Sequence, residues 1–374
     1  MSSAISTINP AFWQGKSVLL TGHTGFKGSW MSIWLKEMGA DLTGFALPAP
    51  TSPSLFEDAK VSCGMHSIIG DVRDLQALKQ AFLDAQPEIV IHMAAQPLVL
   101  ESYSAPVETF EINVMGTVNV LEAVRNTPSV RSVVIVTTDK CYDNKERPQG
   151  YCEDEPMGGY DPYSNSKACA ELVTSSYRNS FFNPTQYSTH RVAVASARAG
   201  NVIGGGDWAK DRLIPDIMRA VIAGNPVSIR SPRSTRPWQH VLEPVGGYLL
   251  LAEKLYTEGA AYAEAWNIGP QADGICDVEY IVREICRTWG EGASFQIEAN
   301  GRLHEACSLQ LDITKIANRL GWKPIWPIHD ALEKTVVWYK SYANGENTLA
   351  VCLEQIRQYK ADLESKPDVS SVPD

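Results

Sequence analysis

Tyr163 and Lys167 stand four residues apart, so a helix carries them on one face. An ammonium beside a phenol stabilises the phenolate and draws the tyrosine pKa toward the working pH. Such a tyrosine can take the proton of a hydroxyl while the carbon beside it gives a hydride to a nicotinamide. Ahead of the pair, the apolar run Ser132–Thr138 ends in Thr137-Thr138-Asp139-Lys140. Groups at the end of a parallel strand face a ligand. Taken alone, Asp139 and Lys140 read first as a surface ion pair at a strand end.

The second cluster is TGHTGFKG, Thr21–Gly28, with glycines at 22, 25 and 28 directly between a strand-like run (KSVLLT) and a helical one. A strand-to-helix turn needs one glycine for its backbone angles and others for close approach to a pyrophosphate. His23, Thr24 and Phe26 complete this turn. The phosphates then meet backbone N–H groups at the positive end of the Phe26 helix. A glycine turn that only packs a helix is the plainer alternative. The second strand ends in Gly44–Pro50 (GFALPAP), with neither a carboxylate for ribose hydroxyls nor an arginine for a 2′-phosphate. The expectation is NAD, bound more weakly than where a carboxylate is present. Asp71, beside Val72, is placed to accept from an adenine amino group, or else to cap a turn. Ala94 and Ala95, before Gln96, permit close backbone approach after a fourth strand. His92 reads as a packed strand-end side chain.

The elements that must position these groups alternate. Strands are expected at 16–21, 41–47, 66–69, 88–92, 132–138 and 191–198. Helices are expected at 26–38 (stopped by Gly39), 74–84 (capped by Asp74), 106–125 and 163–177. That order predicts an α/β fold: a doubly wound parallel sheet of Rossmann type with helices on both faces. After Gly204 the pattern shortens, with helices near 245–254 and 278–289 and a helical tail over 332–360. We expect a dinucleotide domain over 1–203, with segments returning around 238–270, and a smaller interleaved α/β substrate-binding domain with C-terminal helices over 204–374.

With 33 Lys+Arg against 43 Asp+Glu, the net charge of −10 opposes a sequence-independent hold on nucleic acid. No apolar run approaches the roughly 18 residues of a membrane span. The N-terminus does not read as a signal peptide, and the eight cysteines show no zinc or redox spacing. A cytoplasmic protein with reduced thiols and no metal is expected.

TGHTGFKG, DVRD (Asp71–Asp74), HMAAQ (His92–Gln96), NVMGT (Asn113–Thr117), TTDK, YSNSK and RAGNVIGGGD (Arg198–Asp207) together resemble the extended short-chain dehydrogenase/reductase family, in order. The resemblance implies NAD as cofactor, Thr138 on a substrate hydroxyl, Tyr163 as base and Lys167 on the cofactor ribose. It also implies cofactor contacts at Gly22, His23, Thr24, Gly25, Phe26, Gly28, Asp71, Val72, Ala94, Ala95, Gln96 and Thr137. Asp139-Lys140, with DRLIPD (Asp211–Asp216), RPWQHVLEP (Arg236–Pro244) and HEACSLQLD (His304–Asp312), is similar to the family's nucleotide-sugar 4,6-dehydratases, most of which carry Asp-Glu there.

The chemistry implied is a hydro-lyase reaction. Oxidation at carbon 4 acidifies the hydrogen on carbon 5, water is eliminated across carbons 5 and 6, and NADH returns its hydride to carbon 6. Lys140 is assigned the base, which must then be neutral; a water or Asp139 itself remains open. Asp139 is assigned the acid, which needs a raised pKa. The substrate implied is CDP-glucose, on a route to dideoxy sugars of lipopolysaccharide O-antigen. Asn201 matches a diphosphate contact and Arg236 a phosphate clamp; Arg212, Arg230 and Arg302 are further candidates or surface residues. Trp238 either stacks on a base or fills the core. A 4-epimerase, or a 4,6-dehydratase of GDP-mannose, dTDP-glucose or a UDP-sugar, is the alternative enzyme; a dinucleotide-sensing regulator is the non-catalytic one. The resemblance further implies a homodimer, or a dimer of dimers, packed through the helices 106–125 and 163–177.

Overall fold

The computed structural model describes residues 5–229, 231–290, 292–297 and 309–365. Seven parallel strands form one sheet: β1 (Ser17–Thr21), β2 (Asp41–Ala46), β3 (His66–Ile69), β4 (Ile89–His92), β5 (Ser132–Thr138), β6 (Ala193–Ala199) and, from much later in the chain, β10 (Ala265–Ile268). Their order across the sheet is Ala265–Ile268, β6, β5, β4, β1, β2, β3. Connections run outward in both directions from the β1–β4 pair, whose carboxyl ends Thr21 and His92 are register partners. This is a Rossmann-type doubly wound fold with its switch point at Thr21 and His92. Every residue of β5 is buried, as expected where helices cover both faces.

The helix Phe26–Glu37 leaves the glycine turn and buries Trp30 and Trp34 completely; beyond it Gly39 takes φ +76°. Asp74 caps the helix Leu75–Ala85 by accepting from the Gln76 and Ala77 amides at 3.0 Å. After β6 the chain builds two small sheets. One orders β11 (Ile275–Asp277), β9 (Thr235–His240) and β7 (Asn201–Ile203); the other pairs β12 (Phe295–Ile297) with β8 (Val227–Ile229). Between them the helix Leu242–Glu258 returns beneath β5 and β6. No helix among the described residues is long and apolar enough to cross a membrane.

The structure departs from the sequence expectation at several points. The helix expected at 106–125 contains a π turn over Glu111–Met115. That turn presents Asn113, which accepts from the Gln96 amide at 2.9 Å and donates to Gln96 O at 3.1 Å and Ser166 Oγ at 2.9 Å. A short helix, Val99–Ser104, went unanticipated. The tail is two helices, Ile328–Ala343 and Thr348–Ser365, broken where Gly345 adopts φ +73°.

Candidate active site

Two cavities open side by side at the carboxyl edge of the large sheet. The larger, about 850 Å³, is lined by Gly22, Thr24, Gly25, Phe26, Gly28, Asp71, Val72, Ala94 and Ala95. Its turn needs glycine on steric grounds. Gly22 has φ +79° and a Cβ there would stand 2.7 Å from Ala94 N; a Cβ on Gly28 would stand 2.0 Å from Gly22 O. Gly25 caps the Phe26–Glu37 helix with no side-chain hydrogen bond, so the first amides of the helix face the cavity uncapped. Backbone approach, free amides and a helix N-terminus together suit a dinucleotide pyrophosphate. At the end of β2 the wall is Ala46, Leu47 and Pro48, without a carboxylate.

The smaller cavity, about 450 Å³, is lined by Thr137, Thr138, Asp139, Lys140, Tyr163, Asn201, Arg212 and Arg236. Phe26, Lys27, Pro97, Leu98, Glu101, Asp207, Asp211 and Arg212 line both cavities, so the two form one cleft. Thr138 closes β5 and a 3₁₀ turn, Asp139–Cys141, follows at once. Thr138 Oγ1 donates to Asp139 Oδ1 at 2.9 Å and accepts from the Lys140 amide at 3.3 Å. Tyr163 opens the helix Pro162–Ser180, which Asp161 caps by accepting from the Ser164 amide at 2.9 Å. Its side chain and that of Thr138 line the same cavity. Lys167 lies one turn further on, buried, with Nζ donating to Val136 O at 3.2 Å.

Burial dominates the electrostatics. It raises the Asp139 carboxyl above the usual range, against the opposing pull of Lys140, the Thr138 hydrogen bond and Arg236. It lifts the Tyr163 phenol to about 12, offset in part by Thr138 and Arg212. It lowers Lys167 to about 8, against the favourable charge of Glu171. Lys27 falls to about 7, through burial first and then repulsion from Lys167 and Arg212.

The remaining candidates divide. Asp71 lines the larger cavity while ion-paired to Arg73 at 2.6 Å. The side chains of His23 and Gln96 turn into the protein instead. His23 Nε2 lies 2.7 Å from Ser67 Oγ with its ring edge-on to Phe56, and Gln96 is engaged with Thr109 and Leu98. Thr137 Oγ1 donates to Glu171 at 2.5 Å. His92 is buried between Thr21 and Thr117, its pKa pushed down to about 3 by burial. Trp238 is buried with Nε1 on Cys276 O at 3.1 Å, at the edge of the smaller cavity. Arg212 ion-pairs with Asp207 at 3.0 Å. Arg230, Arg302 and His304 lie outside the described residues. Sequence reasoning missed Lys27, Asp207 and Asp211. Lys27 had left a signal: it is the charged residue in the first turn of an otherwise buried helix.

A glycine cradle at the switch point of a doubly wound sheet, with a tyrosine–lysine helix beside β5, defines an extended short-chain dehydrogenase/reductase. Residues 19–335 match the family described as GDP-mannose 4,6 dehydratase, and the chain belongs to that family. It is 54% identical over 352 residues to a CDP-glucose 4,6-dehydratase of Salmonella typhimurium, spanning 94% of this chain and 98% of the relative. A UDP-glucose 4-epimerase of Halalkalibacterium halodurans is 26% identical, over 89% of this chain and 98% of its own. Among solved structures, a dTDP-glucose 4,6-dehydratase from Streptomyces venezuelae with NAD bound superposes at a TM-score of 0.73. It shares 24% identity and covers 89% of this chain and 99% of that one.

Proposed function

We propose that this protein converts CDP-D-glucose to CDP-4-dehydro-6-deoxy-D-glucose and water, with NAD held in the larger cavity. The observation that carries the reading is the meeting of Thr138, Asp139, Lys140 and Tyr163 on one wall of the smaller cavity. The choice of cytidine diphosphate rests on the 54% identity to the Salmonella enzyme. NAD, when bound, takes the hydride of carbon 4 and gives it back at carbon 6.

The chain's own groups supply the rest. Thr138 holds the 4-hydroxyl and Tyr163 removes its proton, with the Lys167 charge stabilising the phenolate. Lys140 takes the proton from carbon 5. Asp139, whose carboxyl burial pushes above the usual range, gives its proton to the hydroxyl leaving carbon 6. Gly22, Thr24, Gly25, Phe26, Gly28, Asp71, Val72, Ala94 and Ala95 hold the cofactor; Asn201, Arg212 and Arg236 hold the diphosphate. The cofactor unit comprises residues up to 203 together with the returning helix and strand at 242–268.

Incubation with CDP-glucose and NAD, beside GDP-mannose, dTDP-glucose and UDP-glucose, tests the reading by the alkaline absorbance of a 4-keto sugar. Keto sugar from CDP-glucose alone, without net NADH, is expected. A 4-epimer without keto sugar would replace this reading with the epimerase, which has no use for Asp139 and Lys140.

The protein works as a homodimer in the cytoplasm, where free thiols such as the seven described cysteines persist. Val107, Met115 and Leu172 are apolar and well exposed on the helices of the expected interface. Sedimentation of the protein and of its Leu172→Glu variant tests this; a monomer of about 41 kDa for the unaltered protein at micromolar concentration rules the dimer out.

A further inference from the structure

A hydride passes directly between cofactor and sugar, so the nicotinamide ring has to stand where the cavity of the glycine cradle meets the one lined by Thr138 and Tyr163. Five charged side chains line both cavities: Lys27, Glu101, Asp207, Asp211 and Arg212. Asp207 and Arg212 pair with each other at 3.0 Å. Glu101 and Asp211 are exposed, where water screens them. Lys27 is different. It is half-buried in the first turn of the helix Phe26–Glu37 and, among the described residues, makes no hydrogen bond or ion pair. Its Nζ lies 5.8 Å from the centre of the Tyr248 ring, which is wholly buried on the returning helix Leu242–Glu258.

We propose that Lys27 sets the redox bias of the bound cofactor: its ammonium stands at the junction where the hydride changes hands and favours the reduced, uncharged nicotinamide over the oxidised, cationic one. The role rests on the dehydratase reading above. When the hydride leaves carbon 4 with its electron pair, the sugar is oxidised, the ring is reduced and loses its positive charge, and the hydroxyl proton goes to Tyr163. A fixed cation repels the ring before that step and not after it. Lys27 therefore eases the first oxidation, which turns a secondary alcohol into a ketone and is the harder of the two hydride transfers. The return goes to carbon 6 of an alkene conjugated with that ketone, a far better hydride acceptor, and can bear the opposite effect.

The interior position costs the lysine. Burial, then repulsion from Lys167 and Arg212, pushes its pKa down to about 7. The negative charges of a pyrophosphate in the adjoining cradle offset this and hold the ammonium charged. Those charges are the same in NAD and NADH, so a contact to the pyrophosphate alone would favour neither form. Only the ring differs in charge between the two.

Dissociation constants of NAD and of NADH, measured calorimetrically on the nucleotide-free protein, compare the unaltered chain with Lys27→Met, Lys27→Gln and Lys27→Arg. The ratio of the two constants reads the redox bias with no substrate present. The methionine and glutamine variants are expected to shift that ratio on the order of tenfold toward NAD, and the arginine variant to keep it. Equal losses of both affinities make Lys27 a pyrophosphate contact and overturn the proposal, as do affinities that do not move. A shift as large with arginine as with methionine traces the effect to packing and overturns it too. Binding of either nucleotide shows that a variant is folded. Absence of keto sugar from the unaltered enzyme would sink the dehydratase reading and leave the ratio untouched, so the two failures are told apart.

Discussion

Glu171 sits one helical turn beyond Lys167 and ion-pairs with Arg198 at 2.9 Å, with both side chains 4% exposed. Its carboxylate also accepts from Thr137 and, at 2.7 Å, from Ser196, so one buried group ties the Tyr163 helix to β5 and β6. Removing one partner strands a buried charge. Arg198→Met is expected to cost about 3–5 kcal/mol in urea unfolding, whereas Glu171→Leu with Arg198→Met recovers much of it. A single variant as stable as the parent would show that the pair holds nothing together.

The same carboxylate bears on the pH profile. In the proposed mechanism Lys167 must be charged to stabilise the phenolate, and burial lowers it to about 8. Turnover is therefore held on the acid side of that value and falls as pH rises through it. Glu171→Gln removes the opposing favourable charge, so the alkaline limb of kcat/KM moves to lower pH. An unmoved limb would assign it to another group.

In the proposed reaction Asp139 and Lys140 act after the first oxidation. Asp139→Asn and Lys140→Ala are each expected to lower kcat on the order of 10²–10⁴-fold. Enzyme-bound NADH still forms on mixing with CDP-glucose and then persists, visible by its absorbance. Loss of that first absorbance change along with turnover would place the two residues in the oxidation step.

Glu253 offers a stability test far from the cleft. It accepts from Trp13 Nε1 at 2.6 Å and from the Asn9 amide at 3.1 Å, and burial raises it from 4.5 to about 7. Because the folded state holds the proton more tightly, its contribution is present below about 4.5 and is lost as pH rises through about 7. Glu253→Gln keeps the acceptor without the buried charge. Its Tm should exceed the parent's at pH 8 and match it at pH 5; the reverse order would contradict the assignment.

Much of this architecture was legible because it is periodic. The six strands from 16 to 198 announce themselves as short β-branched or apolar runs, and the glycine spacing at 22, 25 and 28 marks the turn between the first of them and its helix. What escaped was short or non-local. Ala265–Ile268 joins the sheet in register with Ser196–Ala199, a pairing across some seventy residues that four residues of sequence cannot declare. The π turn at Glu111–Met115 disturbs the hydrogen-bond ladder and leaves the apolar spacing intact. Among the site residues, Thr138, Asp139, Lys140 and Tyr163 stood out by type and position. Lys27 did not, because a lysine in a helix's first turn ordinarily points to water, and only the fold sets it in the wall shared by the two cavities. His23 and Gln96 sat within the right motifs, but their side chains serve the packing of the loops that carry them.

Phe26, Lys27, Asp211 and Arg212 belong to the walls of both cavities. A partition shared by two rooms cannot be furnished from one side without altering the other. Whatever occupies the glycine cradle therefore sets the shape and charge that meets the sugar. Two ligands that exchange a hydride twice within one cycle thereby read each other's presence through the side chains of that shared wall.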